Sequence, residues 1–214
     1  MATKLTREQV LSMCAAQRKG EIAELWLNNA DLSGLDLTNC DLRGAHLREA
    51  DLSAANLQHA NLSQCDLRQA KLVLTDLRNA QLYESSLGGA DLSDANLTFA
   101  YLGRADLTGA RLPGANLTLA DLRKANLSLA DLRRANLREA KLNGTVFEIA
   151  DLSGAKLNGA ILAMADLRNA KLNSANLSRA DLRNANLKGA DLTQADLTGA
   201  DLTSAVMPDG TKHP

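Results

Sequence analysis

The sequence predicts an all-β solenoid preceded by a short helix, and three observations support this prediction. A leucine recurs at every fifth residue from Leu27 to Leu202, with Phe147 the only exception. The residue two positions before each of them is alanine or another small residue, except at Leu25 and Leu35. No insertion interrupts the period. A fixed repeat of this kind determines the fold before local propensities are weighed.

Each repeat reads Ala-(Asp/Asn)-Leu-X-X, and we call its leucine position i. In an α-helix, residues five apart would point in different directions, because each residue turns by about 100°. In an extended chain, positions i and i−2 share one face, so leucine and alanine point inward together while i−1 and i+1 point outward. Position i+2 must then turn the chain. Repetition of this unit predicts a tube whose successive coils pair like parallel strands.

A short helix is predicted to cover the N-terminal end of the solenoid. Thr6 and Gln9 have the spacing of a capping box, so the helix should begin at about Arg7. Arg18, Lys19 and Gly20 indicate its end. We expect one face of this helix to lie on the first coil, and a partner-binding role for the helix is the alternative. The residues expected at this junction are Val10, Leu11, Cys14 and Ala15 of the helix, with Ile22, Leu25 and Trp26 after it, and Leu5 and Val10 are placed as a hydrophobic staple.

Tandem Ala-(Asp/Asn)-Leu-X-X units resemble the pentapeptide-repeat family. The resemblance implies a right-handed quadrilateral parallel β-helix with four repeats, or twenty residues, per coil, so that residues 25–207 make about nine coils. The helical N-terminus, the unbroken repeats and the ending Met207-Pro208-Asp209-Gly210 are similar to cyanobacterial members, one of which regulates cell differentiation. The prediction therefore divides the chain into a helical cap (1–24), a repeat β-helix (25–207) and a C-terminal turn and tail (208–214).

Composition predicts a cytoplasmic protein that is not associated with membranes. No apolar stretch is long enough to span a bilayer, and the N-terminus lacks the apolar core of a signal peptide. The three cysteines are Cys14, Cys40 and Cys65. Cys40 and Cys65 occupy inward i−2 positions on neighbouring faces of the coil, so we interpret them as small packing residues rather than as a disulfide.

No catalytic or metal-binding constellation is apparent, and the sequence predicts neither an enzyme nor a cofactor. His46, His59 and His213 are not spaced as metal ligands, and no glycine-rich phosphate loop precedes a helix. The recurring Asp-Leu-Arg motif is interpreted as a solvated ladder of mixed charges. His46 and Asp66 share an outward column with Trp26, and we expect them to be able to form a hydrogen bond.

Outward apolar residues are the candidate functional site. Folding the chain at twenty residues per coil places Tyr83 and Tyr101 on one face of adjacent coils, with Phe99 and Leu119 stacked at the bordering corner. We name these four residues the tyrosine patch. A contiguous apolar surface with a polar rim is typical of a protein interface. Apolar substitutions that a rigid surface tolerates without any function would give the same pattern. Secondary candidates are Ile161 and Met164 on the same face, and Leu129 and Ile149 at another corner.

Two functions from different classes follow from these observations. The first is a rigid, non-catalytic scaffold that binds an unidentified protein partner, and the alternative is a DNA mimic that binds DNA gyrase, as some family members do. A mimic needs a dense negative field, yet the chain has 24 basic and 25 acidic residues. Its most acidic column is interrupted by Lys71, Arg111 and Lys171. The balanced charge also argues against direct nucleic-acid binding, and we expect a monomer, since no dimerisation element is evident.

Overall fold

The computed structural model describes residues 4–21 and 24–214, and it contains one helix followed by a long series of coils. Helix α1 comprises Arg7–Arg18. From residue 26 onward, the residue at i−1 of each repeat forms isolated parallel bridges to the neighbouring coils, and the two residues after each leucine form a turn. The strands of this fold are therefore only one bridge long, at a spacing of five residues.

Helix α1 begins at Arg7, as the capping box predicted. The Thr6 hydroxyl accepts a hydrogen bond from the Gln9 amide (3.2 Å), and the Gln9 side chain accepts one from the Thr6 amide (2.8 Å). Val10 and Cys14 of α1 are buried, and Leu11 is partly buried against the same core. The Arg7 guanidinium also donates to the carbonyl of Asp36 (2.7 Å), which ties the start of the helix to the second repeat after the junction.

At the junction after α1, Leu25 points inward, while Trp26 takes the outward position of its predicted column rather than an apolar packing position. Leu25 is fully buried, whereas Trp26 is 59% exposed because it occupies an outward i−1 position in the first coil. Ile22 lies outside the described residues. On the other side of α1, Lys4 forms a parallel bridge to Asp31 and the Leu5 amide donates to the Asp31 carbonyl (3.1 Å). The chain before the helix thus pairs with the free edge of the first coil.

Bridges join residues twenty apart, so four repeats complete one coil. Asp51 illustrates the pattern: its amide donates to Ala30 of the preceding coil (2.9 Å), and its carbonyl accepts from Leu32 (2.7 Å). Every later repeat continues this ladder up to the bridge between Asn186 and Val206. Each extended segment is too short to form a hairpin. Its backbone amides and carbonyls are instead hydrogen-bonded to the coils before and after it.

The turn within each repeat uses a left-handed residue at i+2. The Ala30 amide donates to the Leu27 carbonyl across such a turn (3.2 Å), with Asn29 at a φ of 58°. A positive φ at the third residue is the geometry of a type II turn, which favours Gly or Asn. All i+2 positions from Asn29 to Ser204 have a positive φ. This explains the glycines and asparagines that recur there.

Asp or Asn at i−1 also has a local structural reason. Its side-chain oxygen accepts a hydrogen bond from the amide at i+1, as between Asp51 and Ser53 (3.0 Å) or Asn116 and Thr118 (3.2 Å). A serine or threonine at i+1 adds a second bond through its hydroxyl, as Thr118 does to Asn116 (2.6 Å). Such side-chain bonds to the backbone stabilise a turn directly.

Leucine and alanine fill the interior. The inward residues of the coils are almost all fully buried, and Phe147 fits without exposure in place of a leucine. Leu35, in the first coil, is only partly buried. Three polar residues replace alanine in the core, and each satisfies its hydroxyl on a leucine carbonyl: Thr75 on Leu52 (2.8 Å), Ser85 on Leu82 (2.7 Å) and Thr145 on Leu122 (2.7 Å).

The three cysteines are buried and free, which confirms that Cys40 and Cys65 do not form a disulfide. The Cys65 thiol donates to the Leu42 carbonyl (2.9 Å) in the position that alanine usually occupies. Burial raises the pKa of Cys65 to about 12 and that of Cys14 to about 11. Both side chains therefore stay as neutral packing groups at physiological pH.

The C-terminal segment folds back on the last coil. Met207 and Gly210 close a turn (2.8 Å from the Gly210 amide to the Met207 carbonyl), as the Met-Pro-Asp-Gly ending predicted. Val206 and Lys212 then pair in antiparallel fashion, and the His213 amide donates to Ala205 (2.8 Å). The inward residues of the last coil are only partly buried; they include Leu192, Leu197 and Leu202.

Candidate protein-interaction surface

The tyrosine patch is exposed, and two of its members occupy unfavourable backbone positions. Phe99 and Leu119 are i+2 residues of stacked turns, with φ values of 60° and 59°. Phe99 is 48% exposed and Leu119 is exposed as well. A large apolar side chain is disfavoured in this region of φ, where Gly, Asn and Asp are usual. Neither burial nor local conformation therefore explains these two side chains.

The tyrosines lie next to these turns, in two adjacent coils. Tyr101 follows Phe99 by two residues and pairs with Gln81 of the preceding coil and with Asp121 of the next. Tyr83 is at i+1, in a turn stacked on that of Gly103, since the Glu84 amide donates to the Gly103 carbonyl (3.1 Å). Tyr101 is 54% exposed and Tyr83 is exposed too. The predicted placement of the two rings on one face agrees with this register.

A shallow depression lies between the two tyrosines. It has a volume of about 310 Å³. Gly103 forms part of its floor, because a Cβ atom placed there would lie 3.4 Å from Cδ2 of Tyr83. The lining residues, in chain order, are Tyr83, Tyr101, Gly103, Arg104, Asp121, Arg123 and Lys124. Gly103 and the three cations were not among the predicted site residues, although the twenty-residue register places them beside the rings.

The secondary candidates form two separate groups. Leu129 and Ile149 occupy stacked turns, and Ile149 is 52% exposed with a φ of 60°, which is unusual for a β-branched residue. Ile161 and Met164 are exposed on the same face as Tyr101, but Asp121 and Lys141 separate Ile161 from Tyr101 in the bridge column. The structure therefore does not make them continuous with the tyrosine patch.

Leu74 is a further exposed apolar residue that the sequence analysis did not single out. It is a positive-φ i+2 residue like Phe99, and it is highly exposed. An apolar residue at i+2 is the same sequence feature that indicated Phe99, and it would have identified Leu74 as well. The neighbouring repeats of its face contain no aromatic residue. Leu74 is therefore a useful control, because it is an isolated apolar side chain on the surface of the solenoid.

His46 has other partners than the predicted one. Its ring stacks on Trp26 at a centroid distance of 3.9 Å and an interplanar angle of 6°, and its Nε2 lies 3.3 Å from a carboxylate oxygen of Glu24. Asp66 instead binds Arg68 of its own repeat with two hydrogen bonds (2.7 and 2.5 Å). The predicted His46–Asp66 hydrogen bond is thus wrong, because the arginine two residues away takes the carboxylate.

The Asp-Leu-Arg motifs are local ion pairs. Arg183, for example, donates to both carboxylate oxygens of Asp181 (2.9 and 2.7 Å), and this hydrogen bonding lowers the pKa of Asp181. The cations that interrupt the most acidic column pair across coils: Lys71 with Asp51 (3.9 Å), Arg111 with Asp91 (3.4 Å) and Lys171 with Asp151 (3.7 Å). A mixed-charge surface is what these contacts produce.

The repeat geometry agrees with the comparison with known protein families. The sequence profile described as pentapeptide repeats matches residues 27–64, 60–98, 100–138, 130–163, 150–189 and 175–207. The chain belongs to the pentapeptide-repeat family. No curated protein shows significant sequence similarity to this pentapeptide-repeat chain.

Solved structures of other proteins have the same type of fold. One is HetL, a pentapeptide repeat protein involved in heterocyst differentiation regulation from the cyanobacterium Nostoc sp. strain PCC 7120. It is 36% identical, with a TM-score of 0.60, and the match covers 98% of this chain and 100% of HetL. Another is QnrB1, a plasmid-mediated fluoroquinolone resistance protein, at 18% identity and a TM-score of 0.58 over 83% and 90% of the two chains.

Neither a metal-binding cluster nor a membrane-spanning helix is found among the described residues. Residues 4–21 and 24–214 contain no cluster of three or more His, Cys, Asp or Glu side chains that could hold a metal ion. Within the same residues, no helix is long and apolar enough to cross a bilayer. The tyrosine patch of this pentapeptide-repeat protein combines two exposed tyrosines with two exposed apolar residues at positive-φ turns.

Proposed function

We propose that this pentapeptide-repeat protein is a non-catalytic, rigid scaffold for protein–protein interaction, and that the tyrosine patch is its contact surface. The observation that carries the proposal is the exposure of Phe99 and Leu119 in a left-handed conformation beside two exposed tyrosines. The left-handed conformation is common to all the turns, but large apolar residues are unusual in it, and here two of them are stacked. Tyrosine and phenylalanine are also enriched at interfaces relative to the rest of a protein surface.

A regulatory role is consistent with the similarity to HetL. The two chains match over nearly their whole lengths, and HetL is described as involved in heterocyst differentiation regulation. We therefore propose a regulatory role for this chain.

We also infer that the chain forms a right-handed β-helix of about nine coils, each with a quadrilateral cross-section. The support is that paired residues are twenty apart and that each repeat contains one turn, which makes four turns per coil. Stacking at about 4.8 Å per coil would give a rod roughly 40 Å long. The tyrosine patch would then lie near the middle of this rod. We also propose a monomer, because the C-terminal segment folds back on the last coil and pairs with its edge.

The gyrase-binding alternative is less well supported by the charges. Lys71, Arg111 and Lys171 interrupt the most acidic column and pair with its aspartates, so no continuous line of unpaired carboxylates results there. The likeness to QnrB1, at 18% identity, extends to the fold alone. Protection of gyrase from a quinolone in a supercoiling assay would favour the alternative.

The proposal is tested by affinity capture from the native cell, with quantification of the bound proteins. The double variant Tyr83→Ser/Tyr101→Ser should lose a specific protein that the wild type retains, because two interface aromatics are removed. Leu74→Ser is the control: it removes an exposed apolar residue outside the patch and should retain the protein. Equal retention of every bound protein by all three forms would refute the patch as the contact surface.

A further inference from the structure

The depression between the tyrosines exists because Gly103 has no side chain, and the backbone does not require glycine there. Twelve of the fourteen glycines have a positive φ, and Gly103 and Gly88 are the two that do not. Gly103 is at i+1, where Thr98 and Thr118 occupy the equivalent positions in the neighbouring face. Any residue is therefore conformationally allowed at position 103. What glycine provides is space beside the Tyr83 ring.

Cations outnumber carboxylates around this depression. Arg104, Arg123 and Lys124 line it together with a single carboxylate, that of Asp121, and Glu84 lies in the preceding coil. Both carboxylates are already engaged. Arg123 binds Asp121 through two nitrogens (2.8 and 2.6 Å), and Glu84 accepts from Arg104 (3.4 Å) and Gln64 (3.2 Å).

The lysines of this surface have no such partner. In the described part of the chain, neither Lys124 nor Lys141 has a carboxylate oxygen within ion-pair distance, whereas Lys71 and Lys171 on another face both do. The chain as a whole has a net charge of −1. The positive excess is therefore a property of the surface around the tyrosines rather than of the whole protein, and it lies beside apolar rings.

We infer that the tyrosine patch binds an acidic polypeptide segment. An apolar side chain of the partner enters the depression over Gly103, between the rings of Tyr83 and Tyr101. Aspartate or glutamate residues on either side of it reach Lys124 and Arg104. This inference rests on the proposed function and specifies the chemistry of the partner, since complementary charge around an apolar anchor gives both specificity and affinity.

A protein segment suits this surface better than a single-stranded nucleic acid. Nucleic-acid binding needs a continuous cationic track with successive stacking rings. Here Glu84 lies on one side of the cations, and Ile161 and Met164 follow Lys141 along the face. The site offers one apolar depression with a short cationic border, which fits a few residues of a peptide.

The test is selection of random short peptides, displayed on phage, on the immobilised full-length protein. Gly103→Thr fills the depression with a residue that the repeat already uses at i+1. Gly88→Thr is the matched control, because Gly88 is also at i+1 without a positive φ, and a Cβ there meets nothing closer than 3.7 Å. Thermal denaturation should show that both variants remain folded.

Peptides enriched on the wild type and on Gly88→Thr, but not on Gly103→Thr, should contain an apolar residue flanked by Asp or Glu. A synthetic copy of such a peptide should lose roughly tenfold or more in affinity on Lys124→Glu, and should bind more weakly at high salt. Replacing its acidic residues with Asn and Gln should have a similar effect.

Other outcomes separate this inference from the proposed function. Enrichment of neutral or basic peptides that depend on Gly103 would overturn the acidic partner while supporting the patch as a protein-binding site. Acidic peptides that bind Gly103→Thr equally well would place acid binding elsewhere and overturn the inference. Tighter binding of a single-stranded oligonucleotide than of any selected peptide at this surface would also overturn it. Failure of the proposed function itself appears in the capture experiment, as retention of all partners by Tyr83→Ser/Tyr101→Ser.

Discussion

At the scale of the residue, each position of the repeat has one physical role. The side chain at i−1 binds the amide at i+1, as Asp51 does for Ser53. The residue at i+2 adopts a left-handed conformation at every repeat from Asn29 to Ser204. Apolar residues at i+2 therefore have neither burial nor a favourable conformation to stabilise them, and Ile149 is the extreme case because it is β-branched.

Ile149→Asn is expected to raise the free energy of unfolding by about 1 kcal/mol, because Asn tolerates the left-handed conformation that costs Ile this much. Asn169 stands in the same column one coil later, with a φ of 56°. Asn169→Ile is the reverse control and should lower the stability by a similar amount. Chemical denaturation followed by circular dichroism measures both changes, and a loss of stability in Ile149→Asn would contradict the expectation.

At the scale of the element, the coil is a closed unit whose inward positions have fixed volumes. Ala110 is fully buried, and its carbonyl and amide both take part in bonds to neighbouring residues. The partly buried residues of the last coil, such as Ala200, have no further coil of repeats above them. The same alanine-to-leucine change should therefore have different consequences in the middle and in the last coil.

Ala110→Leu is expected to lower the free energy of unfolding by about 1–3 kcal/mol through overpacking. Ala200→Leu, at the equivalent i−2 position, should cost clearly less because its side chain can extend toward the open end. Denaturation of both variants beside the wild type measures the difference. If Ala200→Leu were as destabilising as Ala110→Leu, confinement by the coils on both sides would not be the cause.

The elements also show what the sequence could predict. The capping box at Thr6 and Gln9 located the start of α1, and the inward positions followed from the period alone. For Trp26 the sequence supported two placements, at the apolar junction and in an outward column, and the structure shows the outward one. The tyrosine patch was predictable by column, but the depression over Gly103 was not, since it depends on where the Tyr83 ring lies.

At the scale of the whole molecule, the surface is covered by ion pairs and hydrogen bonds to aspartate, most of them within one repeat or between adjacent coils. Hydrogen bonding by the arginine at i+1 is the largest cause of a lowered pKa at five aspartates, namely Asp41, Asp66, Asp131, Asp166 and Asp181. Their carboxylates bind protons more weakly in the folded state than in the unfolded state. The stability that they contribute is therefore present above the unfolded pKa of about 4 and is lost as the pH falls further.

The protein is accordingly expected to lose stability as the pH falls below about 4, where these aspartates become protonated. Asn at all five positions keeps an acceptor for the i+1 amide and removes the titration. This variant should have a smaller drop in melting temperature between neutral and acidic pH than the wild type. An unchanged pH dependence would show that other groups, rather than these five carboxylates, dominate acid sensitivity.

The sequence by itself determined which residues face inward: a period of five residues leaves one arrangement in which leucine and alanine both point inward, and a capping box marks where the helix begins. Only the tertiary structure decided which neighbours each outward side chain takes. Asp66 binds Arg68 of its own repeat and leaves His46 to Trp26 and Glu24, while Lys124 is left without a carboxylate beside the tyrosines. The physical reason is that the repeat specifies backbone register, whereas pairing on the surface is a competition among side chains that only come together once the coils are stacked.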